Sequence, residues 1–447
     1  MSILWYKPRV ADLYKVGERV ECNVERLAFQ GHGIAKPQNF TLFIPRSCPG
    51  DEITAEITDM KKYYGYATVA GIRKFSPHRI APPCSFYDRC GGCHYQHVDS
   101  QKVQEEKIQQ LRDTFERHGP GNINILPIIA STNSWNYRNR VTYRRAKAGN
   151  QGYRAWDNFE TLDINTCMIA DSELNEAWAW VREKIKHISP SVVYFVVLRK
   201  VGDAIAIIFS TSEDFSTQEL KKILLPHPEN YLFYVTQIKE FSQNALGKTI
   251  EPIFHELVYL EEKIGEVFYI LRPDLFFQIN NDIAKTLVDQ ITTPLSNSKE
   301  PVIDIYCGSG LFSIALAKLE IPVLGIEVQH EAIQSAKQSA IRNNVEELVQ
   351  WREGKATTIL ERLVKEGVRF TRGIVDPPRD GLESFVLDTI PKLGINELYY
   401  VSCSPPTLAR DLKKFMNHGY KIEYCQPLEM FPQTYHIETI TKLAKTE

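Results

Sequence analysis

Val302-Ile303-Asp304-Ile305-Tyr306-Cys307-Gly308-Ser309-Gly310-Leu311-Phe312-Ser313 reads as an apolar strand that runs into a Gly-x-Gly turn, with a helical pattern continuing through Lys318. Gly308 and Gly310 let the backbone turn sharply and come close to a ligand. A second strand pattern, Val323-Leu324-Gly325-Ile326, then delivers Glu327 to the position from which an acid binds ribose hydroxyls. The third glycine of a dinucleotide fingerprint is missing, because Ser313 stands in its place. Pyrophosphate is therefore not specifically indicated, and a nucleoside ligand without phosphates is allowed.

Outward from this stretch the alternation continues. A helical pattern over 329–344 precedes Val349-Gln350-Trp351, and another over 359–366 precedes Gly373-Ile374-Val375, which ends in Asp376-Pro377-Pro378-Arg379-Asp380-Gly381. The run Tyr399-Tyr400-Val401-Ser402-Cys403-Ser404-Pro405-Pro406-Thr407-Leu408-Ala409-Arg410-Asp411 brings a cysteine to the end of a strand and the start of a helix. Unpaired N–H groups there are expected to stabilise its thiolate. Tyr306, Glu327, Asp376 and Cys403 all fall just beyond carboxyl ends of strands, the rim where open α/β sheets bind ligands. The expected fold class is α/β, with a doubly wound, Rossmann-like sheet. Near the end, Phe431-Pro432-Gln433-Thr434-Tyr435-His436-Ile437-Glu438-Thr439 presents His436 and Glu438 two residues apart, on one side of the strand that follows. By pattern alone Glu438 is a solvated strand residue.

The combination Asp304-x-Tyr306-Cys307-Gly308-Ser309-Gly310, Asp376-Pro377-Pro378-Arg379, Ser402-Cys403-x-Pro405-x-Thr407-Leu408-Ala409-Arg410-Asp411 and Phe431-Pro432-x-Thr434-x-His436-x-Glu438 resembles the RNA 5-methyluridine methyltransferases over nearly the whole chain. The resemblance implies a class I methyltransferase domain, with S-adenosylmethionine held by Gln278, Tyr306, Gly308, Gly310, Glu327 and Asp376. It implies Cys403 as nucleophile and Glu438 as proton-abstracting base. Two positions depart from the usual pattern: Leu311 stands where an Asn often follows the Gly-x-Gly, and Ser404 replaces the Asn after the cysteine.

The implied chemistry needs these residue types together. Carbon 5 of uracil is a poor nucleophile, and addition of a thiolate to carbon 6 raises its electron density. The enolate takes the methyl group; a carboxylate then removes the proton from carbon 5, so that the thiolate is expelled and the ring restored. A stacked uridine cannot present both faces, so the target is expected to be unpaired or flipped out.

A second constellation is Cys84-Ser85-Phe86-Tyr87-Asp88-Arg89-Cys90-Gly91-Gly92-Cys93, with Cys167 further on. Three closely spaced thiols and a distant fourth indicate a metal or cluster site. Thiol softness alone leaves zinc and iron–sulfur open, whereas the resemblance implies a 4Fe-4S cluster on Cys84, Cys90, Cys93 and Cys167. His94 and His97 are expected to pack or face solvent, and Cys22, Cys48 and Cys425 carry no assigned chemistry. Nine cysteines without a secretion signal point to a reducing, cytoplasmic setting.

Short strand patterns divided by turns, from Lys15 to Val69, predict a small β-barrel. Gly31-x-Gly33 and Phe43-x-Pro45 ahead of Pro49-Gly50-Asp51 resemble the TRAM domain, an OB-like RNA-binding module. Lys61-Lys62-Tyr63-Tyr64 combines charge with stacking surface. The acid-free run from Trp135 to Lys147 is a second candidate RNA contact, with arginines on phosphates. Since the net charge is only -2, RNA binding must come from such local patches.

With 447 residues, 43% of them hydrophobic, the chain can bury more than one core. The expected division is 1–75, an RNA-binding barrel; 76–298, a central α/β domain carrying the cluster and RNA contacts, with a helix over 105–118; and 299–447, the methyltransferase domain. The apolar runs are too short to cross a bilayer, and the stretch from Met1 to Pro8 lacks signal architecture. A monomer is expected. The barrel and cysteine cluster, together with the resemblance, indicate 23S ribosomal RNA as substrate. The alternatives are transfer RNA and a non-catalytic, metal-bearing RNA-binding protein on a methyltransferase scaffold.

Overall fold

The computed structural model describes residues 14–146, 149–157, 160–239, 245–256 and 258–446. The opening stretch through Pro8, Lys147 of the basic run and Glu240 lie outside the described residues. The chain forms two compact units, Met1–Asp113 with Gln433–His436, and Thr114–Pro432 with Ile437–Glu447.

In the first unit, β1 (Arg19–Leu27), β2 (His32–Ala35), β3 (Thr41–Pro45), β4 (Glu52–Met60) and β5 (Tyr64–Lys74) close into a barrel of order β1-β2-β3-β5-β4. Alternate residues such as Leu42, Ile44, Ile53, Ala55 and Ile57 fill its interior, as the period of two requires. The cysteine loop after the barrel is tied to it by buried polar bonds. Asp51 is fully buried and takes the N–H groups of Cys48 and Ser76 and the Arg79 guanidinium. His97 is bonded by Tyr87 (2.6 Å) and by the carbonyl of Ser47 (3.1 Å), so it packs, as expected. Lys61 to Tyr63 form the β4–β5 turn, where Tyr63 is 70% exposed.

Helix α1 (Ser100–His118) starts earlier than the 105–118 pattern suggests, because Asp99 caps it: its carboxylate takes the Lys102 N–H at 2.9 Å and its carbonyl that of Val103. The division between the units falls within this helix.

The second unit contains a six-stranded sheet of order β11-β10-β9-β8-β6-β7, built from β6 (Arg140–Arg145), β7 (Gln151–Gly152), β8 (Val193–Val201), β9 (Ala204–Thr211), β10 (Tyr231–Gln237) and β11 (Glu251–Pro252). Its helices are α2 (Ser172–Lys184) and α3 (Thr217–Ile223). Here the basic run departs from expectation. Arg145 is buried and donates to the carbonyls of Ile185 and Ile188, while Arg140 donates to that of Leu275. A guanidinium committed to buried carbonyls is unavailable to phosphate, since withdrawing it would orphan those acceptors. Tyr143, also fully buried, stacks on Trp178 at 3.8 Å. This strand is thus largely structural.

A hairpin, β12 (Leu260–Ile264) and β13 (Val267–Leu271), leads to α4 (Asn281–Leu295) and then to a seven-stranded sheet of order β16-β15-β14-β17-β18-β20-β19. Its strands are β14 (Val302–Ile305), β15 (Val323–Glu327), β16 (Val349–Glu353), β17 (Arg372–Val375), β18 (Glu397–Ser402), β19 (Tyr420–Leu428) and β20 (Glu438–Lys445). The intervening helices are α5 (Leu311–Lys318), α6 (His330–Arg342), α7 (Ala356–Lys365), α8 (Ser384–Thr389) and α9 (Pro405–Asn417). β14 to β18 are parallel, whereas β20 is antiparallel to both β18 and β19. The order reverses at β14, so the switch point lies between it and β17.

α5 has no polar face because it is buried from Leu311 to Ala317. Leu311 itself is 7% exposed and belongs to the core, which accounts for an apolar residue there. That core is continuous from the six-stranded sheet (Val197, Ile208, Tyr234) through the hairpin and α4 to β14 and β18. One apolar interior thus spans both sheets, on either side of residue 299.

Candidate active site

The site grows from the carboxyl rim of the seven-stranded sheet. All four residues of β14 are buried, and the chain leaves it through Tyr306 at φ 67. A bulky residue in the left-handed region costs of order 1–3 kcal/mol and persists only where its surroundings over-determine it; here its N–H is held by the carbonyl of Ile326 at 2.9 Å. In the turn, Gly310 sits at φ 87 with the Trp351 ring 3.1 Å from where a Cβ would be, while Gly308 has nothing within 4 Å of that position. The turn is thus packed on one side and open over Gly308.

Glu327 ends β15 and lies against this turn. Its Oε2 takes the Gly308 N–H at 3.1 Å, and Oε1 those of Val328 (2.7 Å) and Gln329 (2.9 Å). The acid is therefore held in place by three backbone N–H groups, one of them from the Gly-x-Gly turn. Beneath it lies Asp304, fully buried: Ser313 Oγ donates to its Oδ2 at 2.6 Å, and its Oδ1 has no partner. Burial pushes its carboxyl up to about 7, with Ser313 opposing and Glu327 adding to the rise. Ser313, conspicuous in the sequence as a missing glycine, thus has the task of holding Asp304.

Asp376 follows β17, its N–H pointing at the carbonyl of Ile305. Burial, with Asp304 adding, raises it to about 7. Gln278 is buried on the segment before α4, where Asn139 donates to its carbonyl at 3.0 Å.

Cys403 follows β18. The β18–β20 register pairs Ser402 with Thr439, and Thr439 Oγ1 donates to the Ser402 carbonyl at 3.0 Å. One residue further along the same register, Cys403 lies opposite Glu438, and opposed residues share a face. Glu438 is only 5% exposed, so the solvated-strand reading fails. Burial and then Asp376 hold its carboxyl well above the usual range, against the pull of Arg379. The Cys403 thiol is pushed up to about 11, first by burial and then by Glu438, with Arg379 lowering it and Asp376 raising it. A thiolate stabilised by a helix amino terminus is thus corrected to a thiol held neutral by burial and neighbouring carboxyls. His436 precedes β20 rather than sharing its face with Glu438, and belongs to the first unit.

Arg379 had no role in the sequence reading, yet it is the cation facing both Cys403 and Glu438. Its loop is fastened by α9: Thr407 Oγ1 donates to the Arg379 carbonyl at 3.0 Å, and Arg410 to that of Asp380. Buried Asp411 accepts from Leu382 N at 2.7 Å and Tyr400 OH at 2.8 Å. The Thr-x-x-Arg-Asp spacing thus places three groups on the helix side that meets this loop. Ser404 takes the N-cap place of α9 without a side-chain capping bond, ahead of Pro405 and Pro406.

The thiol's raised pKa has a direct readout. Because the thiolate reacts and the thiol does not, alkylation of Cys403 by iodoacetamide in the ligand-free protein is expected to be slow at pH 7 and to accelerate through pH 9–10 toward about 11. Peptide mass spectrometry measures it, and a rate already maximal at pH 7 contradicts this electrostatics.

Cys84, Cys90 and Cys93 lie on the loop of the first unit; Cys167 lies in the second. All are free thiols. Arg46 binds the carbonyls of Cys90 and Cys93 at 2.9 Å each, and the Gly92 N–H points at Cys90 Sγ at 3.4 Å, a bond that favours anionic sulfur. The donor type suits a soft metal centre, although among the described residues no three His, Cys, Asp or Glu side chains are gathered to hold a metal ion. No helix among the described residues is long and apolar enough to cross a membrane.

Residues 253–446 match the model of the tRNA (Uracil-5-)-methyltransferase family, and residues 14–70 that of the TRAM domain. An uncharacterized RNA methyltransferase of Halalkalibacterium halodurans is 31% identical, over 96% of this chain and 97% of its own. Another, of Bacillus anthracis, is 30% identical over 96% and 97%. Among solved structures, the Pyrococcus abyssi tRNA (uracil-54, C5)-methyltransferase in complex with S-adenosyl-L-homocysteine covers 95% of this chain and 99% of its own, with a TM-score of 0.76 at 24% identity. That likeness establishes the fold.

Proposed function

The chain belongs to the tRNA (uracil-5-)-methyltransferase family of RNA methyltransferases, and from that premise we propose that it makes 5-methyluridine with Cys403 as nucleophile and Glu438 as base. The observation that carries this is the β18–β20 register, which sets Cys403 against Glu438 beside Asp376 and Arg379. The open face over Gly308, with Glu327 bonded to the Gly308 N–H, fits the nucleoside part of S-adenosylmethionine; Tyr306, Gly310, Asp376 and Gln278 complete the proposed donor site. Bound there, S-adenosylmethionine supplies an electrophilic methyl group on a positively charged sulfur.

Cys403 adds through sulfur to carbon 6 of the uracil: the S–H bond breaks as the carbon–sulfur bond forms, and the proton passes to solvent. Arg379, whose charge and hydrogen bond pull the thiol's pKa down, favours the anionic sulfur in that step. After methylation at carbon 5, Glu438 takes the remaining proton from that carbon, and the carbon–sulfur bond breaks to free Cys403. Burial raises the basicity of Glu438 and suits it to this task.

For substrate we propose an unpaired or flipped uridine of 23S ribosomal RNA, gripped by the barrel. Transfer RNA is the second reading, supported by the description of the Pyrococcus abyssi structure as a tRNA (uracil-54, C5)-methyltransferase. Incubation with labelled S-adenosylmethionine and each RNA, followed by nucleoside mass spectrometry, is expected to yield 5-methyluridine in ribosomal RNA. Signal only in transfer RNA selects the second reading, and none in either sinks the proposal.

We further propose that Cys84, Cys90, Cys93 and Cys167 hold a 4Fe-4S cluster with a structural role, within a functional division into 1–75, 76–298 and 299–447. Protein prepared without oxygen is expected to contain iron and sulfide that Cys90→Ser loses, together with RNA affinity. Iron-free protein with full RNA affinity contradicts it.

A further inference from the structure

A cavity of about 200 Å³ opens in the second unit where the start of β6, the β8–β9 turn, β12 and the start of α4 converge. A cavity of about 150 Å³ holds one benzene ring, so this space suits a single heteroaromatic base. Its lining is polar, and Asn139, Lys200, Glu262 and Asn281 are its defining members. Asn139 is 7% exposed, and its Nδ2 is committed to the Gln278 carbonyl at 3.0 Å and to Asn281 Oδ1 at 2.8 Å. Those two bonds fix the amide's orientation and leave Oδ1 as a buried acceptor without a partner.

Glu262 is also 7% exposed; one carboxylate oxygen takes the Gly202 N–H at 3.3 Å and the other that of Lys263 at 3.1 Å, the Asn281 side chain also bonds the carboxylate, and accepting capacity remains on it. The cation, Lys200, is held by Asp171 at 3.2 Å and by Glu173 at 2.5 Å. With Asp171, Glu262 and Asp282 in the lining against Lys200, a phosphate would be repelled. The wall thus asks for a ring with adjacent N–H donors and one acceptor. Uracil offers a single N–H. Adenine and cytosine offer an amino group beside a bare ring nitrogen, which repels a carboxylate. Guanine carries N1–H and its N2 amino group side by side, with O6 next to them.

Resting on the RNA methyltransferase reading, we propose that this cavity receives an unpaired guanine of the substrate RNA, its N1–H and N2 amino group donating to the Glu262 carboxylate and its O6 accepting from Lys200. Such a base would dock the RNA away from the target uridine. It would also load the segment that carries Gln278, since the Asn139 main chain and side chain hold the carbonyls of Ile279 and Gln278.

The test is binding of free guanosine, adenosine, cytidine and uridine to the full-length protein by saturation-transfer NMR, with S-adenosylmethionine binding and RNA methylation measured in parallel. Guanosine is expected to bind at least about tenfold tighter than adenosine or cytidine, and Glu262→Gln and Lys200→Met each to lose about tenfold while binding S-adenosylmethionine normally. Equal binding of guanosine, adenosine and cytidine, or guanosine binding unchanged in both variants, overturns the proposal. Methylation that persists in those cases leaves the proposed function standing; guanosine bound as expected without any methylation counts against that function alone.

Discussion

Cys403→Ala protein is expected to fold, to bind S-adenosylmethionine within about twofold of the parent, and to lose methyl transfer by ~10⁴-fold or more. The fold should survive because the side chain is small and half-buried at a strand end, where the neighbouring Ser402–Thr439 pair and the α9 loop contacts remain. The rate should not survive, because carbon 5 of uracil has no other source of electron density once sulfur is gone. Incorporation of label into RNA checks the first claim and calorimetry the second. Activity near that of the parent would remove Cys403 from the mechanism, and loss of donor binding as well would make its role structural.

Glu438→Gln should behave differently, although the two residues face each other. Glutamine preserves volume in a buried position and supplies no base, so addition and methylation can proceed while the carbon 5 proton stays in place. Turnover is expected to fall by about 10²–10⁴-fold, with a covalent protein–RNA species accumulating on denaturing gels. Cys403→Ala/Glu438→Gln protein should form none. A Glu438→Gln variant that methylates without an adduct would move the base elsewhere.

The charge of this pair sets the pH dependence. Both groups are raised by burial: the thiol, at about 11, holds its proton at neutral pH in the ligand-free protein, and the Glu438 carboxyl keeps its proton to higher pH than an ordinary carboxyl does. The parent's kcat/KM is accordingly expected to increase with pH across the neutral range. Glu438 and Asp376 also raise the Cys403 thiol, and Asp376 raises Glu438, so a cation beside them should favour the ionised forms.

What the sequence determined by itself is what lies close along the chain. Apolar runs ending in Gly308 and Gly310, in Glu327, in Asp376 and in Cys403 specify strands whose carboxyl ends meet at one rim, because strand and helix periods are local properties. The barrel was legible for the same reason. The partnership of Cys403 and Glu438 was not: it exists because β20 inserts antiparallel beside β18 in one register, and a slip of one residue would turn Glu438 to the other face. Nor was the inward turn of Arg140 and Arg145, since a basic strand reads alike whether its arginines meet phosphate or buried carbonyls. Ser313 under Asp304, Arg379 over the thiol and Asp411 behind its loop belong to the same group. Each depends on the desolvation and pairing of groups far apart in the chain, and those are settled only when the tertiary structure removes water and chooses the neighbours.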